Sequence, residues 1–287
     1  MSKGWVGPQS FPTGIVTIDF KTGKVTTTDT DNYADGGSAA TKKYFYTWTT
    51  FTDSAVLTQF DKQGNEIQSK TYKGLFMLSS GFSDSDGILQ LTVTRDAGNE
   101  TYIDNYVTID ESDLSIISEE PLHTSDGEQY RFVESVTLEG ILYTANVDIR
   151  DNTTKESTPT GQLFVKNTKT GENEFLPLPE QFPMRMTYCN DLIFIEHSYD
   201  MLGYSCFTIF NPKNKEMKLI NLTDLGLTNG SASPSIDFFT FDKTGHLLFT
   251  VQNKLVSFDI ESQTIVDTYS FAKENPDEYP YYIWTVS

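Results

Sequence analysis

The chain has 287 residues, a formal net charge of −19, and 21 lysines and arginines against 40 aspartates and glutamates. Nucleic-acid binding and adhesion to anionic membranes depend on basic patches, so this balance argues against both. No apolar run approaches the roughly 18 residues that a membrane helix needs, and two cysteines form neither a disulfide framework nor a metal-ligand cluster.

Six segments share one pattern: an alternating apolar run, a short polar turn and a second alternating run. They are residues 15–28, 56–72, 106–119, 162–178, 206–222 and 255–269. Each turn opens with Asp or Asn, which bonds its own backbone in turns, so each segment is a predicted β-hairpin. The turn-opening residues are Asp19, Asp61, Asp110, Asn167, Asn211 and Asp259. Their spacings of 42, 49, 57, 44 and 48 residues are typical of a four-stranded propeller blade.

Two further strands are predicted between most of these hairpins. The pairs are 75–82 with 88–94, 132–138 with 141–149, 184–189 with 192–197, and 236–241 with 247–252. The joining turns are predicted at 83–87, 139–140, 190–191 and 242–245. After the first hairpin, only 44–51 is a recognisable strand. Four strands, A to D, make one repeating unit, and Cys189 and Cys206 fall on non-adjacent strands of one unit, so we predict free thiols.

The two ends of the chain complete the strand count. The first hairpin has no strand before it, and the last alternating segment, 281–286, has no hairpin after it. We therefore predict one domain, 1–287, folded as an all-β, six-bladed β-propeller of four-stranded antiparallel blades. The C-terminal strand would pair beside residues 5–7 in the N-terminal blade, closing the ring and removing exposed strand edges.

This pattern resembles the YVTN and quinoprotein-like propeller superfamily, which includes propellers of the bacterial envelope. Periodicity over the whole chain carries the resemblance, because neither the Gly-His and Trp-Asp dipeptides of WD40 repeats nor a kelch double glycine recurs. The resemblance implies a lipoprotein-like protein of the periplasm or cell surface. The start of this chain has no signal-peptide apolar run, so a removed signal or a cytoplasmic location are the alternatives. We expect a monomer.

In a propeller, the A–B and C–D turns lie on one face and the B–C and D–A loops on the other. The second set is predicted to be longer here, at 29–39, 96–105, 122–129, 151–160, 198–205 and 223–235. Long loops on a rigid scaffold are where binding residues concentrate. The four arginines of the chain, Arg95, Arg131, Arg150 and Arg185, all fall on this face. Their planar fork suits carboxylate and phosphate groups.

Aromatic side chains and one histidine are predicted near the same face. Tyr33, Tyr130, Tyr199 and Trp284 offer surfaces for stacking, and His197 ends a B strand. With the arginines, these residues form the predicted binding site for a small anionic molecule, a glycan or a protein partner. The alternative for the arginines is structural ion pairing with their sequence neighbours Asp96, Asp151, Glu128 and Glu180.

No catalytic set is recognisable in the sequence. There is no G-x-S-x-G motif, and of three histidines only His197 is placed for acid–base chemistry. We predict a non-enzymatic binding protein without catalytic residues, metal or cofactor. Two alternatives stay open: an intracellular protein-interaction scaffold, and a metal-dependent hydrolase or lactonase of the six-bladed type. Candidate metal ligands for the latter are Asp35, Asp96, Asp104, Asp151 and Asp200.

Overall fold

A computed structural model describes residues 13–19, 24–30, 37–41, 43–51, 53–77, 83–85, 87–98, 101–123, 127–198, 204–228, 236–251 and 254–270. These residues form 23 β-strands and no helix, and so they contain no helix that could cross a membrane. The predicted all-β class is confirmed. The proposed terminal strand 281–286 and its partner 5–7 lie outside the described residues.

The strands form successive antiparallel sheets along the chain. An N-terminal hairpin consists of β1 (Thr13–Asp19) and β2 (Lys24–Thr30). The next sheet has the order β3–β4–β5–β6, with β3 (Gly37–Ala40), β4 (Phe45–Thr50), β5 (Ser54–Phe60) and β6 (Glu66–Lys73). The following sheet has the order β11–β10–β9–β7, and β8 also pairs with β9. Its strands are β7 (Leu75–Met77), β8 (Ser83–Ser85), β9 (Ile88–Gly98), β10 (Thr101–Asp110) and β11 (Ile116–Pro121).

Three further sheets each have four strands in sequence order. The first contains β12 (Glu128–Leu138), β13 (Ile141–Asp151), β14 (Ser157–Asn167) and β15 (Asn173–Pro177). The second contains β16 (Pro183–Cys189), β17 (Leu192–Ser198), β18 (Tyr204–Asn211) and β19 (Glu216–Asn221). The third contains β20 (Ile236–Phe241), β21 (Leu247–Val251), β22 (Lys254–Asp259) and β23 (Thr264–Ser270). The predicted hairpins and the predicted repeat of four antiparallel strands are confirmed in these sheets.

The chain divides into two compact units. Unit 1 comprises Met1–Tyr143, Arg150–Glu156 and Lys166–Glu172, and unit 2 comprises Thr144–Ile149, Ser157–Val165 and Asn173–Ser287. Alternating residues of their strands build each core, because successive side chains point to opposite faces of a sheet.

The cores of the two units differ in character. In unit 1, Trp48 and Leu57 of the β3–β6 sheet and Leu91 and Val107 of the next sheet belong to one buried cluster. The core of unit 2 is rich in phenylalanine. There, Phe194 stacks on Phe239 with ring centroids 4.6 Å apart and an interplanar angle of 10°. Burial of this aliphatic and aromatic surface stabilises each unit.

In the five hairpin turns that the structure describes, the Asp or Asn that opens the turn bonds its own backbone, as predicted; the turn after Asp19 lies outside the described residues. Asn167 Oδ1 accepts the N–H groups of Lys169 at 2.9 Å and Thr170 at 3.1 Å. Asp61, Asp110, Asn211 and Asp259 cap their turns in the same way. In four of these turns, the residue four positions after the Asp or Asn has a positive φ. These residues are Leu114, Gly171, Lys215 and Gln263, in the turns opened by Asp110, Asn167, Asn211 and Asp259. The cap and this backbone reversal together fix the register of the hairpins.

The two-residue turns predicted at 139–140 and 190–191 are also confirmed. Glu139 and Gly140 have φ values of 51° and 83°, and Asn190 and Asp191 have values of 52° and 66°. Two consecutive positive φ values define the turn that matches the twist of a hairpin. Cys189 lies in β16 and Cys206 in β18, which are not neighbours, and neither cysteine forms a disulfide, as predicted.

Four boundary predictions were wrong. Ser83–Ser85, predicted as part of a turn, form β8 and pair with Ile88–Gln90 of β9. The segment 29–39, predicted as a loop, ends in β3. This strand pairs with β4 and is the fourth strand of the β3–β6 sheet, which the sequence prediction lacked. The predicted loop 96–105 is mostly strand, because β9 extends to Gly98 and β10 begins at Thr101. The predicted loop 151–160 is half strand, because β13 extends to Asp151 and β14 begins at Ser157. In each case, pairing with a neighbouring strand satisfies backbone groups that a loop would leave to water.

Candidate functional site

Asp104 of β10 is the most perturbed carboxylate among the described residues for which a pKa shift is resolved. The residue is 9% exposed, and its Oδ1 accepts the Thr94 hydroxyl of β9 at 2.6 Å. Its Oδ2 accepts the backbone N–H of Phe132 at 3.0 Å. Burial raises the pKa of Asp104 from 3.8 to about 6, while the two hydrogen bonds and the charge of Arg131 oppose that rise. Perturbed carboxylates of this kind concentrate at functional sites.

Arg131 immediately precedes Phe132 in β12, a strand at the edge of its sheet. The arginine side chain is exposed, and its positive charge acts on the buried Asp104 carboxylate. β12 packs against β9 and β10 within unit 1. The edge strand therefore carries an exposed arginine next in sequence to Phe132, whose backbone N–H binds the buried Asp104 carboxylate.

An aromatic pair lies next to this arginine. The Tyr130 ring meets the ring of His123 edge to face, with centroids 4.6 Å apart, and stacks on Phe132 at 6.2 Å. The Tyr130 hydroxyl donates to Glu128 at 3.3 Å. Burial lowers the pKa of His123, an effect that Glu128 opposes. Because neighbours in a strand point to opposite faces, Tyr130 and Arg131 flank the two sides of the same sheet edge.

Arg95, also predicted at the site, is held by an ion pair on the other face of β9. Its Nε and Nη2 donate to the two carboxylate oxygens of Glu119 at 2.5 Å and 2.6 Å. Asn105 donates to the same carboxylate at 3.1 Å. This two-pronged geometry is the strong form of an arginine–carboxylate contact. The structural partner of Arg95 is thus Glu119 of β11, not the neighbouring Asp96, which accepts the N–H of Gly98.

The remaining arginines lie in other strands. Arg185 of β16 belongs to unit 2, where its Nη1 lies 3.5 Å from the Glu196 carboxylate of β17 and 3.4 Å from the Ile236 carbonyl oxygen. Glu196 is 1% exposed, so this contact compensates a buried charge. Arg150 is the penultimate residue of β13 and is partly exposed.

His197 lies near the end of β17, as predicted, and is 3% exposed. Its Nδ1 is 3.0 Å from the Gln181 carbonyl oxygen, and its Nε2 is 2.7 Å from the Thr208 hydroxyl. A carbonyl only accepts, so Nδ1 carries the proton and Nε2 accepts from Thr208. Burial lowers the pKa of His197 to about 4. The ring is therefore uncharged at neutral pH, and both of its nitrogens are hydrogen-bonded inside unit 2.

Several predicted site residues cannot be placed. Tyr33, Tyr199 and Trp284, and the candidate metal ligands Asp35 and Asp200, lie outside the described residues. Asp151 accepts the N–H groups of Thr153 and Thr154 in its own turn. Within the described ranges, no three His, Cys, Asp or Glu side chains come together in a way that could hold a metal ion.

The sequence prediction gave Asp104 only as a metal-ligand candidate and did not identify Glu119 or Glu196. Asp104 falls within the predicted loop 96–105, although the alternation of Tyr102, Asp104 and Tyr106 continues the strand that follows. A charged residue at an inward position of an alternating run was the available signal. Glu119 and Glu196 are cross-strand partners, and register between strands is not visible in a single sequence.

No protein-family model matches the sequence, and no curated protein matches it. Among solved structures, the chain is similar to the WD40 domain of Pan2 from Neurospora crassa, with 11% identity and a TM-score of 0.49. The similarity covers 80% of this chain and 64% of the length of that domain. Membership of the YVTN and quinoprotein-like superfamily stays a prediction.

Proposed function

We propose that this protein is a non-enzymatic binding protein that holds an anionic group at Arg131. The observation that carries the proposal is the exposed Arg131 on an edge strand, next in sequence to Phe132, whose backbone N–H binds the buried Asp104. A surface arginine supported by a rigid sheet offers a planar fork for carboxylate or phosphate oxygens. In a protein with a net charge of −19, such a group contributes specificity because most of the surface repels anions.

The aromatic pair supports a ligand larger than an inorganic ion. Tyr130 and His123 lie on one side of the β12 edge and Arg131 on the other. An acidic glycan or a protein segment that wraps around this edge would contact both, with its anionic group on the arginine and an apolar surface against the rings. The proposal therefore retains Tyr130 and Arg131 of the predicted site as direct contacts.

The proposed scaffold is a six-bladed propeller in which the sheets described above are blades. Its support is the repeated order of four antiparallel strands and the alternating segment 281–286 at the end of the chain. Closure is testable with Val6→Cys and Trp284→Cys in a background without Cys189 and Cys206. A disulfide that forms in the double variant under mild oxidation supports a closed ring. Thiols that both stay free, while the protein remains folded, contradict it.

Ligand binding is tested with sulfate, a compact anion that requires only the guanidinium. Addition of sulfate to isotopically labelled protein should shift the NMR signal of the Arg131 side-chain N–H. Arg131→Gln should abolish saturable sulfate binding, while the rest of the NMR spectrum should show that the protein is still folded. Lys243→Gln removes the same charge from an exposed turn and should leave binding intact. Equal sulfate affinity in wild type and Arg131→Gln would remove the proposed site.

A further inference from the structure

The outer strand of the last described sheet is almost entirely exposed. β23 pairs with β22 and has no second neighbour among the described strands. Six of its seven residues are exposed, and Ile265 is partly buried. Val266 is 50% exposed and Tyr269 is 63% exposed. A strand at the edge of a sheet presents backbone N–H and C=O groups that can pair with another chain.

The other outer strands contain residues that discourage such pairing, whereas β23 contains none of them. β6 carries Lys70 and Lys73, β19 carries Lys218, and β11 and β15 end at Pro121 and Pro177. Lysine and proline at a sheet edge protect it against pairing with other chains. β23 has the sequence TIVDTYS, without lysine, arginine or proline, and its β-branched and aromatic residues favour pairing. Among these five outer strands, β23 is therefore the one whose sequence leaves its edge open to a further strand.

The charges at this edge indicate the kind of partner. Asp267 is exposed at the centre of β23, and the turn before the strand carries Asp259 and Glu261. The chain has no lysine or arginine from 255 to 270, and its net charge is −19. A second copy of this chain would bring like charges together along the strand, which is unfavourable. A basic segment would meet opposite charges instead.

We propose that β23 is a docking site for an extended, basic segment of a partner protein, which pairs with its outer edge as a fifth strand of this sheet. From Asp267 to Ser270, β23 pairs with β22 in regular register, so the side chains of Asp267 and Tyr269 share one face. A partner strand that alternates basic and apolar residues would place its basic side chains on that face, against the Asp267 carboxylate and the Tyr269 ring. Main-chain hydrogen bonds give such a contact its affinity, and the side chains give it specificity. This surface belongs to unit 2 and does not depend on the anion site proposed at Arg131.

The test uses two capped synthetic peptides of about six residues, one alternating lysine with valine and the other alternating glutamate with valine. In isotopically labelled wild-type protein, the lysine peptide should cause saturable NMR shifts at 264–270. It should also slow the exchange of the backbone amide protons there that do not donate to β22. The glutamate peptide should bind roughly threefold to tenfold more weakly, and Asp267→Lys should reverse this preference. Asp224→Lys makes the same change of charge at an exposed residue outside β23 and should leave the preference unchanged.

Three results would overturn the inference. The first is the absence of saturable shifts at 264–270 with the lysine peptide. The second is an unchanged preference in Asp267→Lys, because general attraction to an acidic protein would then explain the binding. The third is a shift of the 264–270 signals with the concentration of wild-type protein alone, which would make a second copy of this chain the occupant. Sulfate binding at Arg131 is a separate measurement, so failure of the docking site leaves the proposed function standing.

Discussion

The Asp104 carboxylate accepts the backbone N–H of Phe132 at 3.0 Å and so joins β10 to the edge strand β12. An edge strand has backbone N–H groups that no neighbouring strand satisfies. A side-chain acceptor from the preceding sheet satisfies one of them. It also fixes the position of the backbone at Phe132, the residue after Arg131. The contact connects the packing of unit 1 to the chemistry of the candidate site.

The buried carboxylate should make the stability of the protein depend on pH. Because the folded-state pKa of Asp104 is raised from 3.8 to about 6, the folded state binds more protons than the unfolded state between these values. This contribution to the free energy of unfolding therefore grows as pH falls through about 6 and is complete below about 4. Asp104→Asn should be more stable than wild type at about pH 8 by about 2–3 kcal/mol.

Urea denaturation of wild type and Asp104→Asn across this range measures the difference directly. Other groups titrate in both proteins and cancel in the comparison. The stability advantage of the variant should shrink steadily as pH falls and vanish at the acid end. A constant difference at all pH values would mean that Asp104 does not titrate in this range.

The buried histidine of unit 2 should show the opposite dependence. Its folded-state pKa of about 4 lies below the ordinary value of 6.5, so the unfolded state binds the extra proton between these values. The stability that neutral His197 contributes is present above about 6.5 and is lost as pH falls toward about 4. His197→Gln should be less stable than wild type at neutral pH but should lose less stability on acidification, as measured by urea unfolding at each pH.

The Thr208 hydroxyl provides a second test of the same contact. It donates to His197 Nε2 at 2.7 Å, so Thr208→Val leaves a buried acceptor without a donor and should cost about 1–3 kcal/mol. Thr144 is a matched control, because its buried hydroxyl has no hydrogen-bond partner in the described structure. Thr144→Val should be neutral or stabilising in the same assay, and equal losses at both positions would argue against the assigned hydrogen bond.

The repeated turns predict a stabilising substitution. Gly171 and Gln263 occupy the same position in turns opened by Asn167 and Asp259, with φ values of 78° and 56°. A residue with a Cβ pays a steric penalty in this conformation, while glycine does not. Gln263→Gly should raise the thermal midpoint and add up to about 1 kcal/mol of stability, and Gly171→Ala should lower both. A destabilised Gln263→Gly would show that unfolded-state entropy dominates at this turn.

The two-pronged pair of Arg95 and Glu119 should contribute more than an exposed lysine pair. Arg95→Lys keeps the charge but cannot span both carboxylate oxygens, so we expect a loss of about 1 kcal/mol in the free energy of unfolding. The Lys213–Asp191 pair has side chains 72% and 62% exposed, and Lys213→Gln should change stability by less than about 0.5 kcal/mol. Equal effects in chemical denaturation would contradict this ranking.

The sequence predicted the hairpins and their turns because those features are local. Asn167 caps its own turn, and the pair Glu139 and Gly140 reverses the chain within two residues, so both were visible from residue type and spacing. The extensions of β9 and β10 and the strand β3 were missed, because pairing with a neighbouring strand decides whether such segments are strands or loops.

The candidate site was predictable only in part. Arg131 could be identified because the chain has four arginines, and Tyr130 because it lies next to Arg131. Their relation to Asp104 depends on the packing of β12 against β9 and β10. The ion pairs of Arg95 with Glu119 and of Arg185 with Glu196 join residues 24 and 11 positions apart in sequence. Such partners follow from strand register, which a single sequence does not specify.

The most direct test of the candidate site is the pKa of Asp104 itself, measured by NMR from the chemical shift of its side-chain carboxyl carbon. The Asp104–Arg131 relationship predicts a pKa of about 6 in wild type and a higher value in Arg131→Gln, because that variant removes the cation that favours the ionised form. Titration near 3.8, the ordinary value for aspartate, with no change in Arg131→Gln, would contradict both the buried carboxylate and its coupling to the arginine.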